Sequence, residues 1–228
     1  YRHTRTRRVR IAILGGTGDI GDGLTVRFAS ETSHTILVGS RDASKAADRA
    51  GTSESRLANN GIERTIEHAD NTAATSNADI VVLAVPPHHV GDTIEALVDQ
   101  EVLTDQLLTT PAVGMRGDES GLHFNLPSMG SLAELVARRA PASTAIAGAF
   151  HNLAADRLAD LNADLDVDTL VVANDEKVRQ RVIDLVNELT GIRALSAGPL
   201  ANAAEVESVT PLVINIARYN DGMHDVGV

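Results

Sequence analysis

The stretch VRIAILGGTGDIG, residues 9–21, decides the fold. Its first six residues are mostly apolar, which is typical of a buried strand. Gly16-Thr17-Gly18-Asp19-Ile20-Gly21 then fits G-x-G-x-x-G, and the spacing of Ile20, Leu24 and Phe28 predicts a helix directly afterwards. Glycines in this context let the backbone approach a pyrophosphate, which lies on the amides and positive dipole of the helix start. The stretch therefore predicts a dinucleotide-binding unit; a glycine turn with a purely structural role is the alternative.

Short apolar runs and helical segments continue to alternate beyond this stretch. The predicted strands are residues 9–14, 35–38, 80–85, 107–110, 144–150 and 170–173. Helices are predicted over 132–139, where Ser131 and Glu134 read as a capping box, along a stripe from Val178 to Leu189, and over 201–218. We expect an α/β fold: a Rossmann-type, doubly wound parallel sheet over residues 1–150 as the dinucleotide-binding domain. A smaller, helix-rich C-terminal lobe over 151–228 would complete the substrate cleft.

The end of the second strand distinguishes NADP from NAD. An NAD site usually places an acid there to bind the ribose 2′-hydroxyl. This strand ends instead in Ser40 and Arg41, with Lys45 one helical turn further on. A hydroxyl and two cations suit a 2′-phosphate, whereas a carboxylate would repel it. We therefore predict NADP as the cofactor, with Asp42 as the competing ribose acid.

The composition excludes several classes of protein. The 228 residues include no Cys and no Trp, aromatic residues are 2%, and the net charge is −11. Disulfide frameworks, thiolate metal sites and stacking platforms for single-stranded nucleic acid are thereby excluded, and duplex DNA is disfavoured as a partner. No apolar run approaches the ~20 residues that cross a bilayer. Because the opening residues lead straight into a predicted strand, we expect no signal peptide. We expect a cytoplasmic protein with no membrane partner and no metal.

The acidic surface has an unusual makeup. Most of the 31 acids are Asp, and Lys45 and Lys177 are the only lysines among the 20 basic residues. An Asp-rich, Lys-poor surface resembles that of proteins from salt-loving archaea, because dense carboxylates hold hydration and their repulsion is screened at high ionic strength. An ordinary acidic protein is the alternative.

Several segments together resemble one family. ILGGTGDIGDGL and VGSRDASKA are followed by AVPPHH at residues 84–89 and by Phe150-His151 at a strand end. AGPL at 197–200, VESVTPL at 206–212 and NIARYN at 215–220 form a C-terminal signature. From about residue 9 to its end, the chain resembles the NADPH-dependent F-420 reductases of archaea and actinobacteria. The C-terminal stretch is the specific part, since many dehydrogenases share the glycine loop.

The resemblance implies direct hydride transfer between NADP(H) and the 5-deazaflavin coenzyme F-420, with no obligatory acid–base residue. It also implies three sets of binding residues. Gly16, Thr17, Gly18, Asp19, Ile20, Ser40, Arg41 and Lys45 would hold the adenosine phosphates; Val85, Pro86, Pro87, His89, Ala155 and Val226 would line the nicotinamide side; and His151, Ser208 and Thr210 would face the deazaflavin.

Each deazaflavin-facing residue also has a structural interpretation. His151 could be a satisfied histidine at a strand end. Ser208 could bond back to its own helix, and Thr210 could be an N-cap with Pro211 at the first helical position.

The chain departs from the family pattern beside the expected acceptor site. Asn152-Leu153-Ala154 replaces Thr-Ile-Pro, residues 109–114 differ from a Pro-Leu-Val-Pro type of segment, and Pro87 replaces Trp. Two other functions therefore stay open: an NADPH-dependent reductase of another acceptor (ferric chelate, flavin or cyclic imine) and a non-catalytic NADP sensor. The Leu, Val and Ile residues between Leu195 and Ile216 have few neighbours within one chain, which predicts a homodimer joined through this lobe.

Overall fold

The protein is an α/β structure, and the computed structural model describes residues 8–220. Within that range the strands are β1 (Arg10–Leu14), β2 (Thr35–Ser40), β3 (Glu67–Asp70), β4 (Ile80–Leu83), β5 (Leu107–Thr110), β6 (Met115–Asp118), β7 (Gly121–Phe124), β8 (Ala145–Gly148), β9 (Val167–Val171) and β10 (Ile192–Ser196). The helices are α1 (Asp19–Glu31), α2 (Ala43–Asn59), α3 (Asn71–Ser76), α4 (Val90–Asp99), α5 (Leu132–Arg139), α6 (Ala155–Ala159), α7 (Glu176–Val186) and α8 (Ala203–Tyr219). None of these helices is both long and apolar enough to cross a membrane.

A six-stranded sheet in the order β3-β2-β1-β4-β5-β8 forms the centre, and all its paired strands are parallel. The strand order reverses between β1 and β4. Leu14, at the end of β1, is in register with Gly39 of β2 and Leu83 of β4. The carboxyl ends of three strands thus meet at this switch point, where doubly wound sheets bind their ligands.

Apolar side chains cover both faces of the sheet. One buried cluster joins β1 to α1, α2 and α7, and Phe28 of α1 is its largest fully buried member together with Phe150. The other cluster joins the opposite face to α3, α4, α5 and α8 through residues such as Ile94 and Val206. Helices on both faces confirm the predicted doubly wound architecture.

Two small strand pairs complete the structure. β9 and β10 pair in parallel, and Val172 just beyond β9 bridges antiparallel to Gly148 of β8. β6 and β7 form an antiparallel hairpin that lies on α8. Asn215 of α8 accepts a hydrogen bond from the Leu122 amide at 2.8 Å and donates one to the Leu122 carbonyl at 2.6 Å. The division of the chain into domains at residue 150 stays a prediction.

The predicted strands exist, with bounds shifted by a few residues, but the strand predicted over 170–173 belongs to the β9–β10 pair rather than to the central sheet. β3, β6, β7 and β10 were not predicted. β3 (EHAD) and β6 (MRGD) are largely exposed and lack an apolar pattern. They are recognised as strands through their pairing with neighbouring strands, which the sequence pattern does not reveal. The helix predicted over 132–139 is confirmed as α5, and the Ser131 hydroxyl accepts the Glu134 amide at 3.0 Å.

Candidate active site

The glycine loop between β1 and α1 is packed too closely for side chains. Gly15 has φ +78°, and a Cβ there would lie 2.6 Å from the Ala84 carbonyl oxygen of the neighbouring strand end. A Cβ on Gly21 would lie 2.6 Å from the Gly15 carbonyl oxygen. The loop therefore presents bare backbone at the switch point, which is the cradle that a pyrophosphate needs. The shape of this cradle fits a dinucleotide.

Helix α1 starts at the edge of this cradle. Its N-cap is Gly18, so no side chain caps the first amides of the helix. The Gly18 amide itself donates to the Gly15 carbonyl at 2.8 Å. Gly18, Asp19 and Ile20 line the cleft described below. Since the first amides of a helix have no partner within it, they and the helix dipole favour an anion here.

The end of β2 lies next to the glycine loop, because the Gly15 amide donates to the Gly39 carbonyl at 3.0 Å. Ser40 is buried, while Arg41 and Lys45 are exposed at the start of α2. The Asp42 carboxylate caps α2 and accepts bonds from the amide and hydroxyl of Ser44 at 2.9 and 2.7 Å. These hydrogen bonds lower the pKa of Asp42. The start of α2 thus already engages Asp42, while the binding of a ribose phosphate by Ser40, Arg41 and Lys45 stays a prediction.

A cleft of about 860 Å³ opens beside α1 and runs to the C-terminal part of the chain. Predicted site residues that line it are Gly18, Asp19, Ile20, Val85, Pro86, Pro87, His151, Ala155 and Thr210. Most of the remaining lining is apolar and comes from segments 111–113, 150–158 and α8. An apolar space next to a phosphate cradle suits the stacking of flat rings.

His151 is the one strongly perturbed titratable group among the described residues that line this cleft. Its ring is buried, with 4% of the residue exposed, and within residues 8–220 neither ring nitrogen has a hydrogen-bond partner. Burial lowers the pKa of His151 to about 4, so the imidazole is neutral at physiological pH. The interpretation of His151 as a satisfied strand-end histidine is therefore wrong for the part of the chain that the structure describes, where its ring nitrogens lack partners.

The backbone before His151 explains its position. Phe150 has φ +68°, which is unusual for an aromatic residue, and its ring meets Phe28 edge-on at a centroid distance of 6.2 Å. This packing holds the turn that follows β8. The Thr210 hydroxyl then donates to the His151 carbonyl at 2.9 Å. Burial of Phe150 and the bond from α8 together fix the His151 backbone at the cleft wall.

Helix α8 is continuous through Pro211, so the interpretation of Thr210 as an N-cap is wrong. Apolar burial of Ala203 and Val206 ahead of Pro211 keeps the helix intact although proline lacks an amide donor. Ser208 donates its hydroxyl to the Glu205 carbonyl at 2.7 Å, and it is not among the residues lining the cleft. The interpretation of Ser208 as a helical serine bonded to its own backbone is confirmed. Its role toward a deazaflavin stays a prediction.

Glu207 was not singled out from the sequence as a structural residue. Its carboxylate is fully buried and accepts the amides of Leu132 and Ala133, at 2.9–3.0 Å, at the N-terminus of α5. Burial raises the pKa of Glu207 to about 7, although these amides oppose the shift. The contact ties α8 to the sheet domain 75 residues earlier in sequence.

The segment that departs from the family pattern also lines the cleft. Asn152 donates its side-chain amide to the Asp168 carbonyl at 2.7 Å and accepts the Thr169 hydroxyl at 2.9 Å. Its polar atoms are thus bonded to β9. Leu153 is buried, and Ala154 is the N-cap of α6.

The remaining predicted residues that the structure describes lie outside the cleft lining. Gly16 and Thr17 belong to the loop itself, and His89 lies half-buried at the end of the 3-10 turn Pro87–His89. Val226 lies outside the described residues. Sequence reasoning missed Met115 of the hairpin and the stripe Val213, Ile214, Ala217 and Arg218. The stripe has helical spacing from Thr210, a signal that could have found it.

The sheet order, the glycine cradle and the adjoining cleft define a dinucleotide-binding protein of the Rossmann type. A family model described as "NADP oxidoreductase coenzyme F420-dependent" matches residues 10–114. The F420-dependent NADP reductase of Methanocaldococcus jannaschii is 36% identical over 211 residues, which cover 91% of this chain and 92% of that protein. That of Methanothermobacter thermautotrophicus is 35% identical over 93% of this chain and 90% of its own length. The chain therefore belongs to the family of F420-dependent NADP reductases.

Solved structures agree at the level of fold. A crystal structure described as a candidate F420-dependent NADP reductase from Arthrobacter sp. FB24 gives a TM-score of 0.76 at 21% identity, covering 95% of this chain and 96% of that one. Pyrroline-5-carboxylate reductase from Coxiella burnetii gives a TM-score of 0.57 at 18% identity, covering 84% of this chain but 60% of that one. Both similarities concern the fold alone.

Proposed function

We propose that the protein transfers a hydride between NADP(H) and the 5-deazaflavin coenzyme F-420. The single observation that carries the proposal is the placement of neutral His151, whose ring nitrogens have no hydrogen-bond partner among residues 8–220, in an apolar cleft that begins at the glycine cradle. A buried polar group without a protein partner is costly, and a ligand that bonds to it removes that cost. Membership of the family supports the choice of both substrates.

Different groups of residues along the cleft bind different parts of the dinucleotide. Backbone groups of Gly16, Thr17, Gly18, Asp19 and Ile20 bind the pyrophosphate, and Ser40, Arg41 and Lys45 bind the 2′-phosphate. Val85, Pro86, Pro87 and Ala155 line the nicotinamide side, with His89 and Val226 as further proposed contacts. NADP and the deazaflavin supply the hydride donor and acceptor carbons between them.

His151 acts by hydrogen bonding rather than by proton transfer. With a pKa of about 4, its neutral imidazole offers one donor and one acceptor to the deazaflavin ring system. Thr210 keeps the His151 backbone in place through its 2.9 Å bond, and Ser208 lies two residues before Thr210 on α8. The apolar walls exclude water, so the protein contributes orientation and a dry site.

The oligomer and the cellular setting are part of the proposal. We propose a homodimer through the C-terminal lobe, because Leu212 and Ile214 of α8 are 58% and 40% exposed. We also propose a cytoplasmic protein of a salt-rich cell, on the strength of the Asp-rich, Lys-poor composition. Light scattering in concentrated KCl tests the dimer, and a mass equal to one subunit would overturn it.

A rapid-mixing assay in concentrated KCl tests the activity. Protein, NADPH and oxidised coenzyme F-420 are mixed, and the deazaflavin absorbance is followed, with NADH as the control. We expect rapid bleaching with NADPH and little with NADH. Absence of bleaching despite NADPH binding would contradict the proposal. Reduction of a flavin, ferric chelate or cyclic imine would then identify another acceptor, and no reduction at all would favour the NADP sensor.

A further inference from the structure

Arg49, an arginine of α2 that does not line the cleft, reaches the phosphate loop. Arg49 donates its Nη2 to the Thr17 carbonyl oxygen at 3.0 Å, 32 residues earlier in the chain. Thr17 lies in the turn between β1 and α1, just before the N-cap Gly18. The sequence motif did not include Arg49, because the motif describes only the loop.

A buried carboxylate holds the Arg49 guanidinium in this position. Asp22 of α1 lies 3.4 Å from Arg49 Nη1 and accepts a bond of 2.8 Å from Arg56 Nη1. The Ser53 hydroxyl adds a bond of 3.3 Å to the same carboxylate. Asp22 is thus anchored by α2 independently of Arg49, and it orients Arg49 toward the loop.

The peptide between Thr17 and Gly18 is consequently held at both ends. Its amide, on Gly18, donates to the Gly15 carbonyl at 2.8 Å, and its carbonyl, on Thr17, accepts Arg49. Gly16 and Gly18 on either side impose little conformational restraint, since glycine populates many backbone states. The contact with Arg49 therefore restrains the loop where the glycines do not.

We propose that Arg49 is a positioning residue for the dinucleotide pyrophosphate, which it serves by fixing the Thr17–Gly18 peptide and hence the direction of the amides at the start of α1. This role rests on the proposed binding of a dinucleotide at the loop. Preorganised amides bind an anion more tightly because no ordering cost is left for the moment of binding. Arg49 acts on the backbone, so NADPH and NADH depend on it alike.

The test compares Arg49→Met with Arg56→Met, since both arginines bind Asp22 but only Arg49 bonds to Thr17. Dissociation constants for NADPH and NADH are measured by nucleotide fluorescence, and thermal unfolding is recorded for each variant. For Arg49→Met we expect both dissociation constants to rise about tenfold, as the loss of one charged hydrogen bond implies. For Arg56→Met we expect a loss of stability with a smaller rise of both dissociation constants, at most about threefold, because Ser53 still bonds to Asp22 and the bond from Arg49 to Thr17 is kept.

Steady-state kinetics add a readout that general destabilisation would not move. We expect Arg49→Met to raise KM for NADPH while kcat and the KM for coenzyme F-420 stay within about twofold. Arg49→Lys should recover part of the affinity, since an ammonium reaches one partner but not both.

Three results would overturn the inference: unchanged nucleotide affinity in Arg49→Met, equal loss in the two methionine variants, or a loss confined to NADPH. The last would mean direct contact with the 2′-phosphate. Failure of the unmodified protein to bind either nucleotide would instead overturn the proposed function, so the two failures are distinguishable.

Discussion

The two walls of the cleft are built in different ways. The dinucleotide wall comes from one contiguous stretch, in which β1, the glycine loop and α1 follow one another and the end of β2 lies alongside. The acceptor wall is assembled from distant segments: Thr210 bonds to the His151 carbonyl across 59 residues, and Glu207 caps α5 across 75. Backbone geometry makes the first wall, and long-range packing makes the second.

This difference implies that a local backbone change should damage the dinucleotide wall most. For Gly15→Ala we expect a loss of about 4 kcal/mol in the free energy of unfolding, because φ is +78° and the new Cβ would meet the Ala84 carbonyl at 2.6 Å. Urea denaturation measures it. Gly51→Ala is the matched control: no described atom lies within 4 Å of its Cβ, so α2 should gain up to about 1 kcal/mol. Equal effects at the two glycines would refute the close approach.

The acceptor wall should make the free energy of unfolding depend on pH. Burial lowers the pKa of His151 from 6.5 to about 4. Between pH 6.5 and pH 4, His151 is therefore protonated in the unfolded chain but neutral in the folded chain. Above pH 6.5 the ionisation of His151 therefore costs nothing, whereas as pH falls toward 4 it lowers the free energy of unfolding by on the order of 3 kcal/mol. Glu207, whose pKa is raised to about 7, acts in the opposite sense, so a difference measurement is needed.

That measurement compares the unmodified protein with His151→Gln by urea denaturation at several pH values from 7 to 4. The stability advantage of the unmodified protein over the variant should shrink by about 3 kcal/mol across this range. His88→Gln, at an exposed position of the neighbouring loop, serves as the control. Parallel curves for His151→Gln would show that the imidazole is not desolvated.

The helix contact behind the acceptor wall should have a smaller effect. Glu207→Ala leaves the Leu132 and Ala133 amides without their buried acceptor, and we expect a loss of about 2 kcal/mol. Glu205→Ala, exposed on the same helix, should change stability by less than about 0.5 kcal/mol. KM for coenzyme F-420 should rise in Glu207→Ala while NADPH affinity stays unchanged. A rise in the NADPH dissociation constant instead would mean that the two walls are not independent.

The smallest effect concerns the choice of cofactor. Arg41→Ala removes an exposed cation at the end of β2, so KM for NADPH should rise about tenfold, equivalent to about 1.4 kcal/mol. KM for NADH, which lacks the 2′-phosphate, should stay the same, and Lys45→Ala should behave alike with a weaker effect. Steady-state kinetics with both nucleotides distinguish the cases. Equal changes in KM for NADPH and NADH would show that Arg41 does not bind the 2′-phosphate.

The difference between the two walls of the cleft also explains which features could be predicted from the sequence. The glycine loop, the strands β1, β2 and β4, and the cap of α5 carry local signals, and their prediction was confirmed. The hairpin β6–β7 lacks such a signal, because its place depends on Asn215 of α8. Likewise, the burial of His151 and the anchoring of Asp22 by α2 depend on packing between elements. Residue types reveal candidates for such contacts, but only the fold brings them together.

Direct hydride exchange is the central claim, and isotope transfer tests it most directly. NADPH carrying deuterium at both C4 positions is incubated with the protein and oxidised coenzyme F-420 in ordinary water, and the reduced deazaflavin is analysed by mass spectrometry. The proposed direct transfer between two rings stacked in the cleft predicts one carbon-bound deuterium in each reduced molecule. Reduced deazaflavin without deuterium would show that hydrogen passes through solvent or a protein group, and would contradict the account.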